Sequence, residues 1–222
     1  MIWEGATAEW WRAEVQSDLA YERDVDPLLV STLGDLPDGP ILDLGCGDGR
    51  LLGRFGATGV DASFDLVKAA APGTVVVADV GRLPFSADQW RAAYAVLVLE
   101  HLSDPAPFFE EASRVVAPGG VLAIVVNHPI YTAPGSGPFL DPEDGEVLWR
   151  WGAYLEQGVT KEPAGADVVV FHHRSLGDLL TAAANAGWRL ERLLEKSLTP
   201  AGDALLQAQQ HVPRLLGIRW SL

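Results

Sequence analysis

Pro40-Ile-Leu-Asp-Leu-Gly-Cys-Gly-Asp-Gly-Arg50 decides how this chain folds. Its first apolar residues, Ile41 to Leu44, read as a short buried parallel strand, and they run straight into Gly45, Gly47 and Gly49. Glycine reaches backbone angles that a Cβ forbids and lets a ligand approach the main chain. Strand, tight glycine turn and helix in succession is how doubly wound α/β folds build a nucleotide site at the carboxyl edge of a sheet. The spacing is Gly-x-Gly-x-Gly, not the Gly-x-Gly-x-x-Gly of a dinucleotide fingerprint. Asp43 lies inside the strand end, where a pyrophosphate would be repelled. The stretch therefore points to an adenosyl ligand without phosphates.

Outward from this strand, the alternation continues. Helices are expected from Thr7 to about Tyr21 and from Pro27 to Leu36, which makes residues 1–36 an N-terminal helical segment. Strands follow at Ala57 to Val60, ending at Asp61, and at Thr74 to Ala78, ending at Asp79; further strands cover Ala92 to Leu99 and Val121 to Val126. Ser63 is placed to cap a helix from Phe64 to Ala71 stopped by Pro72-Gly73, and Asp104-Pro105 opens another running to about Val116. Residues 127–173 break the pattern with scattered prolines, glycines and aromatics. A long irregular stretch inside a compact domain is usually a functional lid, and its aromatics argue against disorder. Ser175 to Asp178 reopens regular structure as a capping box, ahead of a helix from Leu176 to Ala186. Trp188 to Leu194 and Val212 to Trp220 read as the last two strands. The expectation is one α/β domain over residues 1–222: a Rossmann-like, doubly wound, seven-stranded, mostly parallel sheet with its last strand antiparallel and a lid inserted at 127–173.

Composition narrows the function. The chain has 222 residues, 48% hydrophobic and 21% charged, and a formal net charge of −14. Such a surface repels phosphate backbones and anionic membranes, so a small molecule is the expected partner rather than nucleic acid or lipid. The apolar runs are too short to span a bilayer, and the start lacks the basic and apolar regions of a signal peptide. The lone Cys46 excludes an internal disulfide and a multi-cysteine metal site. A cytoplasmic protein, monomer or homodimer, with no metal is expected.

The ordered set Ile41-Leu-Asp-Leu-Gly-Cys-Gly-Asp-Gly49, Val60-Asp61-Ala-Ser63, Ala78-Asp79, Leu97-Val-Leu-Glu-His101 and Pro118-Gly-Gly120 resembles the class I S-adenosylmethionine-dependent methyltransferases. It is most similar to the small-molecule branch that includes ubiquinone- and menaquinone-type enzymes. That resemblance implies S-adenosyl-L-methionine as cofactor and S-adenosyl-L-homocysteine as product, held by Asp43, Gly45, Cys46, Gly47, Asp61, Ala62, Asp79, Val80 and Leu97. Asp43 would orient the glycine loop and favour the cofactor's ammonium end. Asp61 would accept both ribose hydroxyls, since a carboxylate carries two acceptor oxygens. Asp79 would accept the adenine amino group beside the Val80 backbone, and Leu97 would pack near the adenine or methionine chain. Arg91 departs from the acid often found before the fourth strand.

Methyl transfer asks for alignment of acceptor, methyl and sulfur, and for a base only when the acceptor is protonated. The candidates are His101, His128 and His173, with His172 and Arg174 beside them; each also has a plain structural reading as a loop or helix-entry residue. Trp10, Trp11, Trp149 and Trp151 are set to form a lid or to fill a core or interface. The implied reaction moves a methyl group to an O, N or C atom of a small organic acceptor. A non-catalytic S-adenosylmethionine-binding or scaffold protein would share every one of these features. A nicotinamide oxidoreductase would need the longer glycine spacing, and a nucleic-acid methyltransferase would need a basic face.

Overall fold

The computed structural model describes residues 3–70, 74–165, 167–200, 207 and 209–222. The chain begins with α1 (Gly5–Ser17), passes through a π-helical turn (Tyr21–Val25) and continues as α2 (Asp26–Leu33). Thr7 is not a cap but a buried residue within α1. The alternating region supplies β1 (Ile41–Leu44), α3 (Leu52–Phe55), β2 (Thr58–Asp61), α4 (Phe64–Val67), β3 (Val75–Val77), β4 (Trp90–Val96), α5 (Ala106–Val115) and β5 (Val116–Asn127). Ser63 caps α4 as its sequence suggests, its hydroxyl accepting the Leu66 N–H at 3.1 Å. That helix is a single turn, and the expected stop at Pro72-Gly73 lies outside the described residues.

β4 ends sooner than its apolar run. Leu97 turns to a positive φ of 54° and Leu99–His101 form a 3-10 turn, so the motif ending in His101 leaves the sheet and crosses its edge. Pro118-Gly119-Gly120 does not precede β5 but bulges within it: the pairing with β4 jumps from Trp90↔Val116 to Ala92↔Val121.

Residues 129–173 fold into α6 (Pro129–Thr132) and two antiparallel hairpins, β6 (Gly137–Leu140) with β7 (Val147–Arg150) and β8 (Gly158–Ala164) with β9 (Asp167–His173). α7 (Leu176–Asn185), capped by Ser175, leads to β10 (Arg189–Lys196) and β11 (Leu215–Ser221). The main sheet has the order β10-β11-β5-β4-β1-β2-β3, with β11 antiparallel to both its neighbours and the remaining pairings parallel.

Parity along the central strands explains the two-layered core. Leu122, Ile124 and Val126 of β5 join Ala93 and Ala95 of β4 under Phe108 and Phe109 of α5. Ala123, Val125 and Tyr94 face the other way, against Leu28, Leu29 and Leu33 of α2. Helices thus cover both faces, the arrangement a parallel sheet needs because both faces are apolar. Strand order reverses between β1 and β4, and the crevice outside their carboxyl ends is where such folds bind ligands.

Candidate active site

At that crevice β1 delivers Asp43 and the glycine loop. Gly45, Gly47 and Gly49 all have positive φ, 84°, 54° and 77°. Gly45 and Cys46 both donate their N–H groups to the Val60 carbonyl, at 2.7 and 2.9 Å. A Cβ at Gly45 would run into the Val98 side chain at the end of β4, and one at Gly47 would lie 2.9 Å from the Trp11 ring. The loop is therefore pinched between the two strand ends and roofed by α1. The Cys46 side chain turns inward against Gly59, and burial keeps its thiol protonated.

Asp61 ends β2 and faces that loop. One of its carboxylate oxygens accepts the Gly47 N–H at 2.9 Å and the other the Ser63 N–H at 2.8 Å. Burial pushes this carboxyl above its usual range, helped by the nearby Glu4 charge, while these N–H donors pull it back. The Ala62 N–H also favours the ionised form. Asp43 is nearly inaccessible, and burial pushes its carboxyl up to about 8, with Tyr94 opposing and Asp61 adding to the rise. Among the described residues no cationic side chain pairs with it. A positive charge placed beside this carboxyl would favour its ionised form. Asp79 is exposed and makes an Asx turn, one oxygen accepting the Gly81 N–H at 2.8 Å; the Val80 side chain beside it is buried in the core.

A roof covers the site. Trp3 stacks edge-on to Trp11 and to His101, and His101 packs on Phe171 of β9, with ring centroids 6.4, 5.2 and 4.9 Å apart. The Trp3 carbonyl accepts the Ser63 hydroxyl, and the Glu4 carboxylate takes the Phe64 N–H at 3.1 Å, so the start of the chain is fastened to α4. Thr7 bonds Asp167 of β9, and Trp10 packs on Gly165 of the same hairpin. The Arg50 guanidinium sits over Tyr21 at 4.5 Å and over Trp11 at 5.7 Å. Sequence reasoning placed Trp10 and Trp11 over the sheet edge but gave no part to Trp3, Glu4 or Phe171. The cluster Trp3-Glu4 was the available signal.

The candidate bases separate clearly. His128 is buried; its Nδ1 accepts the Ile130 N–H at 3.1 Å as the cap of α6, and its Nε2 meets Glu195 at 2.8 Å. His173 is buried between the Thr132 hydroxyl and the Tyr154 carbonyl, both at 2.9 Å. Both nitrogens of each ring are engaged, so these two histidines hold structure. His101 is different: Nδ1 meets the Val170 carbonyl at 3.3 Å, and the ring packs between Trp3 and Phe171 under the roof. Arg174 donates to the Leu99 carbonyl at 2.9 Å and to that of Leu102, so its guanidinium holds the turn that leaves β4. Trp149 and Trp151 lie on and beside β7, away from the α1 roof, and Trp151 is exposed. No group of acidic, histidine or cysteine side chains suited to a metal occurs among the described residues, and none of their helices is long and apolar enough to cross a membrane.

A Rossmann-like sheet with an acid at the tips of its first two strands, around a phosphate-free glycine loop, defines a fold built to hold an adenosyl cation. Residues 42–124 match the family described as a methyltransferase domain. The chain is 38% identical over 146 residues to a tRNA (carboxymethyluridine(34)-5-O)-methyltransferase of Arabidopsis thaliana, covering 60% of this chain and 33% of that one. It is 34% identical over 98 residues to a ubiquinone biosynthesis O-methyltransferase of a Caulobacter species, covering 38% and 39%. It thus spans well under half the length of these curated relatives. The crystal structure of an S-adenosylmethionine-dependent methyltransferase from Mesorhizobium loti superposes with a TM-score of 0.77 at 28% identity, over 88% of this chain and 96% of that one. Residues 42–124 thus carry a methyltransferase domain, in a chain similar in fold and sequence to S-adenosylmethionine-dependent methyltransferases.

Proposed function

We propose that this chain transfers the methyl group of S-adenosylmethionine to an O, N or C atom of a small organic acceptor. The observation that carries the reading is the buried Asp43 carboxyl, without a cationic side-chain partner among the described residues, one strand from an Asp61 already bonded to the glycine loop. When bound, the cofactor supplies a methyl group on a sulfonium leaving group. Asp43 supplies negative charge for the cationic methionine end. Asp61 keeps lone pairs for the ribose hydroxyls beyond the two N–H groups it accepts. Asp79, one oxygen of which holds the Gly81 N–H, would accept the adenine amino group with the other, with Val80 and Leu97 as the apolar neighbours of the adenine. Gly45, Cys46, Gly47 and Ala62 contribute backbone.

The roof of Trp3, Trp11, His101 and Phe171 excludes water, which strengthens every electrostatic contact beneath it. His101 is the residue we assign to accept a proton where the acceptor carries one. A small molecule is favoured over nucleic acid by the net charge of −14 and by relatives such as the ubiquinone biosynthesis O-methyltransferase; the tRNA methyltransferase among the relatives is the reason to include tRNA in the assay.

The test joins calorimetry with labelled-methyl transfer. S-adenosylhomocysteine should bind at micromolar levels, and label should pass from S-adenosylmethionine to the small-molecule fraction of a cell extract. A folded protein that binds neither form of the cofactor refutes the reading. Binding without any transfer identifies a cofactor-binding protein, and label in the tRNA fraction overturns the small-molecule choice.

A further inference from the structure

At the carboxyl end of β5 lies a cavity of about 210 Å³. Tyr131 and Trp149 form its flat walls, their rings 5.8 Å apart and tilted by 36°, and Leu198 and Val212 complete its apolar lining. Arg214 enters it from the start of β11, where its carbonyl accepts the His128 N–H at 2.9 Å. Two donors in this lining are buried without a hydrogen-bond partner among the described residues: the Arg214 Nη1 and the Trp149 indole Nε1. The Arg214 guanidinium lies over the Tyr131 ring and makes no salt bridge among the described residues. Burial pulls it down to about 10, with the Tyr131, Glu162 and Glu100 charges acting the other way. Glu100 stands on the turn that leaves β4, which places Arg214 within electrostatic reach of the strand end that flanks the glycine loop.

Buried donors without acceptors are costly, and two that line one cavity are satisfied together by a ligand that brings acceptor atoms. A guanidinium in an apolar pocket matches a carboxylate with two parallel hydrogen bonds. The cavity is smaller than most ligand sites and its lining is largely apolar, so it admits only a small molecule. We propose that this cavity is the acceptor subsite, and that it takes a small carboxylic acid whose carboxylate pairs with Arg214 and the Trp149 N–H. The inference rests on the methyltransferase reading for the word acceptor; the binding chemistry stands apart from it.

The experiment titrates the full chain, saturated with S-adenosylhomocysteine, with benzoate and with its neutral isostere benzamide, read by calorimetry and tryptophan fluorescence. Benzoate should bind at least about tenfold more tightly than benzamide. Arg214→Gln should bring the two within about twofold of each other, while cofactor-product affinity is unchanged. Trp149→Phe, which keeps the ring and removes the donor, should weaken benzoate about threefold or more and serves if Arg214→Gln does not fold. Equal binding of acid and amide, no benzoate binding at millimolar concentration, or a preference that survives Arg214→Gln overturns the proposal. Benzoate binding to a protein that ignores S-adenosylhomocysteine would sink the cofactor reading and leave this one standing.

Discussion

The Asp61 carboxylate accepts the Gly47 N–H at 2.9 Å, so the tip of β2 and the glycine loop after β1 are joined through the acid that the ribose would use. Its other oxygen holds the Ser63 N–H at 2.8 Å, which fixes the start of α4 as well. Preorganisation of this kind lets a ligand meet an acceptor already in place, without a loop to order on binding. Asp61→Asn keeps an oxygen for one of these N–H groups but loses the charge. Charge-assisted hydrogen bonds contribute about 1.5–3 kcal/mol, so S-adenosylhomocysteine should bind roughly 10- to 100-fold more weakly by calorimetry. Burial already opposes ionisation of Asp61, so the ligand-free variant should lose no more than about 1–3 kcal/mol, the cost of the one N–H left without its acceptor. A loss of fold with no separate loss of affinity would show that Asp61 is only a turn residue.

Gly47→Ala tests the roof. The φ of 54° is itself unfavourable for alanine by about 1 kcal/mol, and the new methyl would meet the Trp11 ring at 2.9 Å. Denaturant titration should show a smaller cost of Gly47→Ala in a Trp11→Ala background than in the natural chain. Residues in contact couple by about 0.5–3 kcal/mol in such cycles. Additive costs would mean that α1 does not close on the glycine loop in solution.

Asp43 carries a pH signature. Its folded-state carboxyl is pushed up to about 8 from 3.8. A group that binds its proton more tightly when folded stabilises the protein below its unfolded value, and that contribution is lost as the pH climbs towards the folded value. Stability of the ligand-free protein should therefore decline between about pH 4 and pH 8, and Asp43→Asn should flatten that decline and melt higher at pH 8. Affinity for a cationic cofactor should run the opposite way, rising with pH as Asp43 ionises, and should collapse in the variant. Thermal melts and calorimetry across this range check both limbs; an Asp43→Asn protein that binds the cofactor normally would remove Asp43 from the site.

Much of this site was legible because its signals are local. Ile41 to Leu44 folds as the strand read from sequence, Asp61 falls at the tip of β2, and Ser63 and Ser175 cap the helices after them. Each depends on neighbours within a few residues, so periodicity and turn chemistry suffice. The hairpins at 137–173 do not share that property. β8 carries Pro163 and charged side chains on an exposed two-stranded ribbon, where no buried face imposes alternation. The turn that joins it to β9 packs against Thr7 and Trp10, far away in sequence. The same holds for His128 and His173, read as candidate bases: their partners Glu195, Thr132 and the Tyr154 carbonyl are assembled only by tertiary folding. Asp141 to Gly145 did offer a turn signal for the β6–β7 hairpin.

His128 and His101 divide a structural from a chemical role. His128 is buried with both ring nitrogens engaged, and burial pulls its value below the usual 6.5 despite Glu195. The unfolded chain therefore binds this proton first. The stability that neutral His128 contributes is present above about pH 6.5 and is lost progressively as the pH falls below it. His128→Ala leaves the Ile130 N–H without its acceptor, which costs about 1–3 kcal/mol if the group stays buried. Urea titrations at pH 7.5 and 5.5 should show that cost at the higher pH and less of it at the lower. Turnover per folded molecule, assayed where the variant is fully folded, should change by less than about threefold, whereas loss of a general base costs roughly 100-fold or more. His101→Gln should show the larger loss with an acceptor that must be deprotonated, and little loss with one that need not be. If the two variants exchange these behaviours, the proton leaves through β5 rather than beneath the aromatic roof.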